Sequence, residues 1–175
     1  IEKLSEQRAL RRKRRKKNNV PVVSVIGYTN AGKSTLLNGL TQSEVKSEDR
    51  LFATLRPTTR RLRYPEEREI VLTDTVGFIN ELPEDLVAAF KATLEELDEA
   101  DLLIHLVDIS RENYEDRMES VNSILAEIGL EDKEQLLVFN KIDRMDEAKA
   151  KALARSYDAI PISAIDLESV KPLVE

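Results

Sequence analysis

Residues 27–34 read Gly27-Tyr28-Thr29-Asn30-Ala31-Gly32-Lys33-Ser34: a glycine, four residues, then Gly-Lys-Ser. These types at this spacing suit the holding of a polyphosphate. Gly27 and Gly32 let backbone N–H groups curl around phosphate oxygens with no Cβ in the way. Lys33 offers a cation to the β- and γ-phosphates, and the Ser34 hydroxyl can ligate Mg²⁺. A helix opening directly after the loop would add its positive end to that field.

Two downstream clusters extend the chemistry. Asp74-Thr75-Val76-Gly77 ends an apolar run. A carboxylate there can hold Mg²⁺ through water, and the Gly77 N–H can sense a γ-phosphate because no side chain blocks it. Asn140-Lys141-Ile142-Asp143 addresses the base. Asp143 can accept from both N1–H and the exocyclic amine of guanine, an arrangement adenine lacks. Asn140 can tie this loop to the phosphate loop, while the Lys141 stem lies over the purine face. Between the first two clusters, residues 41–59 are polar and irregular, as functional loops are. Such a loop carries the threonine that closes over Mg²⁺ and the γ-phosphate in nucleotide switches; Thr54, Thr58 and Thr59 are candidates, and spacing does not choose among them. His105, the only histidine, reads as a core or strand-end residue, since no partner motif surrounds it.

The elements that position these residues alternate strand and helix. Val20–Ile26 is a β-branched strand leading into the loop, and a helix follows from Thr35. Arg60–Tyr64 and Glu69–Asp74 form a hairpin around Pro65–Arg68. Pro83 to Glu99 is an amphipathic helix burying Leu86, Ala89, Phe90, Thr93, Leu94 and Leu97. Asp101–Asp108 is a central strand, and Asn113–Ile128 a helix stopped by Gly129. Gln135–Phe139 is a strand, Met145–Tyr157 a helix, and Ala159–Ile162 a last strand before Ser163-Ala164. From Asp166 the tail starts part of a final helix. This order predicts a three-layer α/β phosphate-loop fold with a mainly parallel sheet and ligand at the C-terminal strand ends.

The chain has 175 residues, enough for one α/β domain with a core. It has no cysteine, which excludes disulfides and thiolate metal sites. No apolar run approaches the ~18 residues of a membrane span, so a cytoplasmic location is the default expectation. The net charge of −6 conceals an asymmetry. Residues 1–19 carry nine Lys/Arg and two Asp/Glu, and the remainder 18 and 31. Residues 1–19 therefore read as a basic helical arm, suited to RNA backbone or acting as a linker to an upstream domain, and 20–175 as the nucleotide domain. Because the chain begins at Ile1, it reads as an excised piece of a longer protein.

With these pieces in order, the chain resembles the G domain of the HflX family of translational GTPases, in the Obg-HflX superfamily with its Ras-like fold. The resemblance rests on GYTNAGKST at 27–35, LFATLRPTTR at 51–60, DTVGFI at 74–79, NKID at 140–143 and SA at 163–164. It implies GTP/GDP and Mg²⁺ as ligands, contacts from Tyr28, Thr29, Asn30, Ala31, Thr35, Phe52, Ala53, Thr75, Val76 and Phe78, and a chain truncated before its final helix. It also implies binding to the large ribosomal subunit, slow GTP hydrolysis stimulated there, and a role in ribosome splitting or rescue by a monomer. Within Phe52-Ala53-Thr54 the family pattern picks Thr54 as the switch threonine that joins Ser34 on Mg²⁺; Lys33, Thr54 and Gly77 become the catalytic set. In G domains a Ser-Ala such as Ser163-Ala164 offers backbone N–H groups to guanine O6. Asn30 matches an asparagine of potassium-activated GTPases, which implies K⁺ as a catalytic cation.

Phe78 stands where Ras-like GTPases place a water-orienting glutamine, as the family also lacks it. Arg56 departs from the family's usual Asp, reversing a charge in the switch, and no glycine-rich continuation follows Ser163-Ala164. Two other readings stand beside the GTPase: a nucleotide-dependent RNA- or ribosome-binding module with negligible turnover, which Phe78 favours, and an ATP-using phosphate-loop enzyme, which Asp143 opposes.

Overall fold

The structure is a computed structural model that describes residues 21–41, 58–63, 69–74 and 97–173. The basic arm at 1–19, the expected switch threonine Thr54 and the body of the helix expected from Pro83 lie outside the described residues.

Six strands form one sheet in the order β2-β3-β1-β4-β5-β6. They are β1 (Val22–Ile26), β2 (Thr58–Arg63), β3 (Glu69–Asp74), β4 (Leu102–Asp108), β5 (Gln135–Asn140) and β6 (Ile160–Pro161). All neighbours run parallel except β2, which pairs antiparallel with β3. β1 and β4 sit at the centre because their sequences, VVSVI and LLIHLVD, are apolar on both faces, as a strand covered on both sides must be. Among the described residues the α-helices are α1 (Lys33–Thr41), α2 (Tyr114–Glu127), α3 (Glu147–Ser156) and the short α4 (Leu167–Val170).

Alternation along the strands splits the core in two. Val25, Ile104, Leu106 and Val138 pack with Leu36 and Leu37 of α1 and Val170 of α4. Ile26 and Leu103 pack with Val121 and Leu125 of α2, while Val107 and Phe139 meet Ala150 and Ala154 of α3. Each fully buried leucine stabilises the fold by about 1.5–3 kcal/mol, so the 3.6-residue periodicity of α2 suffices to dock it.

Boundaries shift from the sequence expectation where local hydrogen bonding decides them. α1 starts at Lys33 rather than Thr35, so the loop's last residues already belong to the helix. β2 starts at Thr58, which places Thr58 and Thr59 opposite Asp74 and Thr73. α3 starts after Asp146, whose carboxylate accepts from the Lys149 N–H at 3.0 Å, and the expected start at Met145 is extended instead. β6 is two residues long, not four. α2 ends as expected, with the Gly129 and Leu130 N–H groups returning to Ala126 and Leu125. Among the described residues no helix is long and apolar enough to cross a membrane.

His105 is 2% exposed on β4. Burial, and then the nearby charge of Lys33, lower its pKa from 6.5 to about 4. The unfolded chain therefore takes up a proton near pH 6.5 that the folded chain refuses until about pH 4. Stability from this group is complete above pH 6.5 and is lost as the pH falls toward 4, about 3 kcal/mol in all. Urea unfolding at pH 7 and pH 5 should show His105→Leu losing about 2 kcal/mol less than wild type on acidification. Equal losses in the two proteins would remove His105 as the cause.

Candidate functional site

The phosphate-type loop leaves the end of β1 and returns into α1. Gly27 has φ +148°, and a Cβ there would lie 2.2 Å from the Leu106 carbonyl oxygen. Gly32 has φ +100°, and its Cβ would lie 2.3 Å from Asn140 Nδ2. Each glycine is thus required by packing as well as by phosphate access: one rests on the β4 backbone, the other on the base loop. Asn30 sits between them in the left-handed region at φ +62°. Lys33 is 7% exposed, and its Nζ donates to the carbonyls of Gly27 and Tyr28, each at 3.0 Å. The ammonium is therefore held at the centre of its own loop. Ser34 and Thr35 follow in the first turn of α1, where amide donors and the helix dipole favour an anion.

The base loop is fastened to this loop by Asn140, 1% exposed at the end of β5. Its Nδ2 donates to the Ala31 carbonyl at 2.7 Å, and its Oδ1 accepts from the Ala164 N–H at 2.9 Å. Lys141 follows in the left-handed region at φ +66°, and its Nζ donates to the Asn30 carbonyl at 2.8 Å. A single 3-10 turn, Ile142–Arg144, then presents Asp143, whose Oδ1 accepts from Ser163 Oγ at 2.5 Å. The two amides expected to serve guanine O6 already have acceptors within the protein. The Ser163 N–H donates to Ser169 Oγ at 2.8 Å and the Ala164 N–H to Asn140. In this arrangement they fasten the loop.

Register places Asp74, the last residue of β3, beside Val25, two residues before Gly27. Phe52, Ala53, Thr54, Thr75, Val76, Gly77 and Phe78 lie outside the described residues. Among the described residues no group of three or more His, Cys, Asp or Glu could hold a metal unaided.

The sequence reading passed over one residue of the site. Asp108, 5% exposed at the end of β4, accepts from Lys141 Nζ through Oδ2 at 2.8 Å. Its Oδ1 accepts from the Ser110 N–H at 3.1 Å and Ser110 Oγ at 2.6 Å. Burial pushes the carboxyl pKa up, but the bonds from Lys141 and Ser110 and the lysine's charge outweigh it, leaving it below the usual value. Its signal in the sequence was the one that marked Asp74, a carboxylate ending an apolar strand. Under the loop, Arg117 of α2 lies 4.7 Å from the Tyr28 ring centroid, a cation–π contact invisible in the sequence.

Comparison with known proteins places this geometry. The family described as 50S ribosome-binding GTPase matches residues 22–141. A GTPase HflX from Caldanaerobacter subterraneus subsp. tengcongensis is 51% identical over 146 residues, 83% of this chain and 34% of the relative. This chain thus spans about a third of that relative's length. A GTP-binding protein from the hyperthermophilic archaeon Sulfolobus solfataricus, solved in complex with GDP, aligns with a TM-score of 0.69 at 29% identity, covering 98% of this chain and 58% of that one. Era, solved with MgGDPNP and nucleotides 1506–1542 of 16S ribosomal RNA, aligns with a TM-score of 0.69 at 28% identity, covering 89% and 56%. The phosphate loop, strands β1 to β5 and the first two residues of the base loop fall inside residues 22–141, and the chain belongs to the 50S ribosome-binding GTPase family, within it to the HflX GTPases.

Proposed function

We propose that residues 20–175 are the GTP-binding, slowly GTP-hydrolysing switch of a protein that works on the large ribosomal subunit, with residues 1–19 as a basic arm toward RNA. The observation that carries this reading is Asn140, whose one amide joins the phosphate loop at Ala31 to the base loop at Ala164. With Asp143 positioned by Ser163, the pair of loops suits one ligand carrying both a guanine and phosphates.

Lys33, buried in its loop, and the first turn of α1 offset charge on the β- and γ-phosphates. The Ser34 hydroxyl and the Asp74 carboxylate are hard oxygen donors of the kind Mg²⁺ takes, Asp74 through water, with substrate oxygens completing the set. Mg²⁺, when bound, would neutralise charge on the phosphates. By the family pattern Thr54 would share that metal position, and the Gly77 N–H would read the γ-phosphate. Era's co-crystallisation with MgGDPNP and 16S ribosomal RNA supports the pairing of a guanine nucleotide with ribosomal RNA, and the description of the matching family, 50S ribosome-binding GTPase, points to the large subunit.

Phe78 cannot orient an attacking water, so orientation comes from switch backbone, from K⁺ held by Asn30, or from the ribosome. The arm's run Arg11–Lys17 suits phosphate backbone, which makes binding fall steeply with salt. We place this protein in the cytoplasm as a monomer. The second reading, a nucleotide-dependent binding module without meaningful turnover, is favoured by Phe78 and opposed by the Lys33, Ser34 and Asp74 set.

Three measurements test the reading. Asp143→Asn should shift preference from guanine toward xanthine nucleotide by about a hundredfold or more, whereas an ATP-using enzyme would show no shift. Single-turnover GTP hydrolysis by the full-length protein should accelerate on adding large ribosomal subunits; an unchanged rate would select the binding module. Hydrolysis in KCl should exceed that in NaCl, and Asn30→Ala should abolish the difference, while equal rates in wild type would eliminate the K⁺ role.

A further inference from the structure

Lys141 occupies a backbone conformation that lysine rarely adopts, and its long side chain crosses from the base loop to the phosphate loop. A flexible four-carbon stem needs something to hold its end in place. The Asn30 carbonyl is one anchor, and the second is a carboxylate whose side chain is only 4% exposed. That carboxylate is itself fixed. Both Ser110 donors grip Oδ1 of Asp108, leaving Oδ2 turned toward the ammonium at 2.8 Å. Arg111 Nε lies 3.8 Å from the same oxygen, but its side chain is 58% exposed and sits at the solvent rim.

We propose that Asp108 is a positioning residue for guanine nucleotide binding: it clamps the Lys141 ammonium against the Asn30 carbonyl, and so sets the lysine stem over the base and the left-handed turn of the phosphate loop together. The inference rests on the guanine-binding reading and adds a residue to it. Clamping Lys141 before the ligand arrives lowers the ordering cost of binding. It also joins the loops at a second point, beside Asn140, so a nucleotide that leaves must do so from two fastened loops. The bland alternative is that Asp108 only shapes the Ser110 turn after β4. The two differ in whether the effect passes through Lys141.

Asp108→Asn separates them, because Asn can keep its oxygen on Ser110 while turning an amide donor toward the ammonium, where no bond forms. Release of a fluorescent GDP from the full-length protein should accelerate about ten- to a hundredfold in this variant. Lys141→Met keeps the apolar stem and removes the charge, and in that background Asp108→Asn should add little further acceleration. Full additivity of the two changes, or a wild-type release rate in Asp108→Asn, overturns the proposal. Should Asp108→Asn not fold, Ser110→Ala loosens the same carboxylate and should give a smaller acceleration that also requires Lys141. Failure of wild type to hold GDP would instead overturn the guanine reading itself.

Discussion

Asn140 has one carboxamide, and both ends of it are used inside the protein. Nδ2 reaches a carbonyl 109 residues away in the chain and Oδ1 an amide 24 residues on. Buried groups of this kind contribute modestly when paired and cost about 1–3 kcal/mol each when left unpaired. That asymmetry makes Asn140 a constraint on two loops at once. The Ala31 carbonyl cannot turn away, and the segment after β6 cannot drift, without leaving a polar atom stranded in the core. Gly32 belongs to the same constraint, since any Cβ there would collide with the Asn140 amide. A residue in the phosphate loop and one in the base loop are thus selected by each other.

The sheet supplies the setting. In a parallel sheet every strand ends at the same edge, and here β3, β4 and β5 end there on the polar residues Asp74, Asp108 and Asn140. Asp74 stands beside Val25, and Asp108 beside Asn140. Apolar side chains fill the strands up to that edge because both faces are covered. Beyond it the chain must turn back into a helix, and the turns carry the chemistry. The site is therefore a consequence of topology as much as of motif.

This explains what could be read from the sequence. The loop at Gly27–Ser34, the tetrad from Asn140 and the alternation of strand and helix were legible because each depends on a few neighbouring residues. The strands β1 and β4 were legible from apolar density alone. What escaped depends on contacts between distant segments. Asp108 looked like a strand end because its partner lies 33 residues away. Gly27 looked like a phosphate residue only, because the Leu106 carbonyl beneath it is placed by the register of β4 against β1. Tyr28 carried no signal for Arg117, and the internal acceptors of the Ser163 and Ala164 amides arise from tertiary packing. The starts of α1 and α3 moved because hydrogen bonding at the helix ends, not apolar periodicity, sets them.

Charge is distributed with similar economy around the loop. Lys33 and the first turn of α1 face the place a phosphate would take, and two more basic groups lie close by. Lys141 is matched by Asp108, and His105 is kept neutral by burial and by Lys33 itself. Positive charge aimed at the ligand thus comes from Lys33 and from backbone dipoles, both held rigid by packing. On the proposed reading, whatever part of this field binds GTP and its transition state equally lowers KM without raising kcat. Rate must then come from groups that reach the γ-phosphate only in the closed state, which Thr54 and a ribosomal contact would supply.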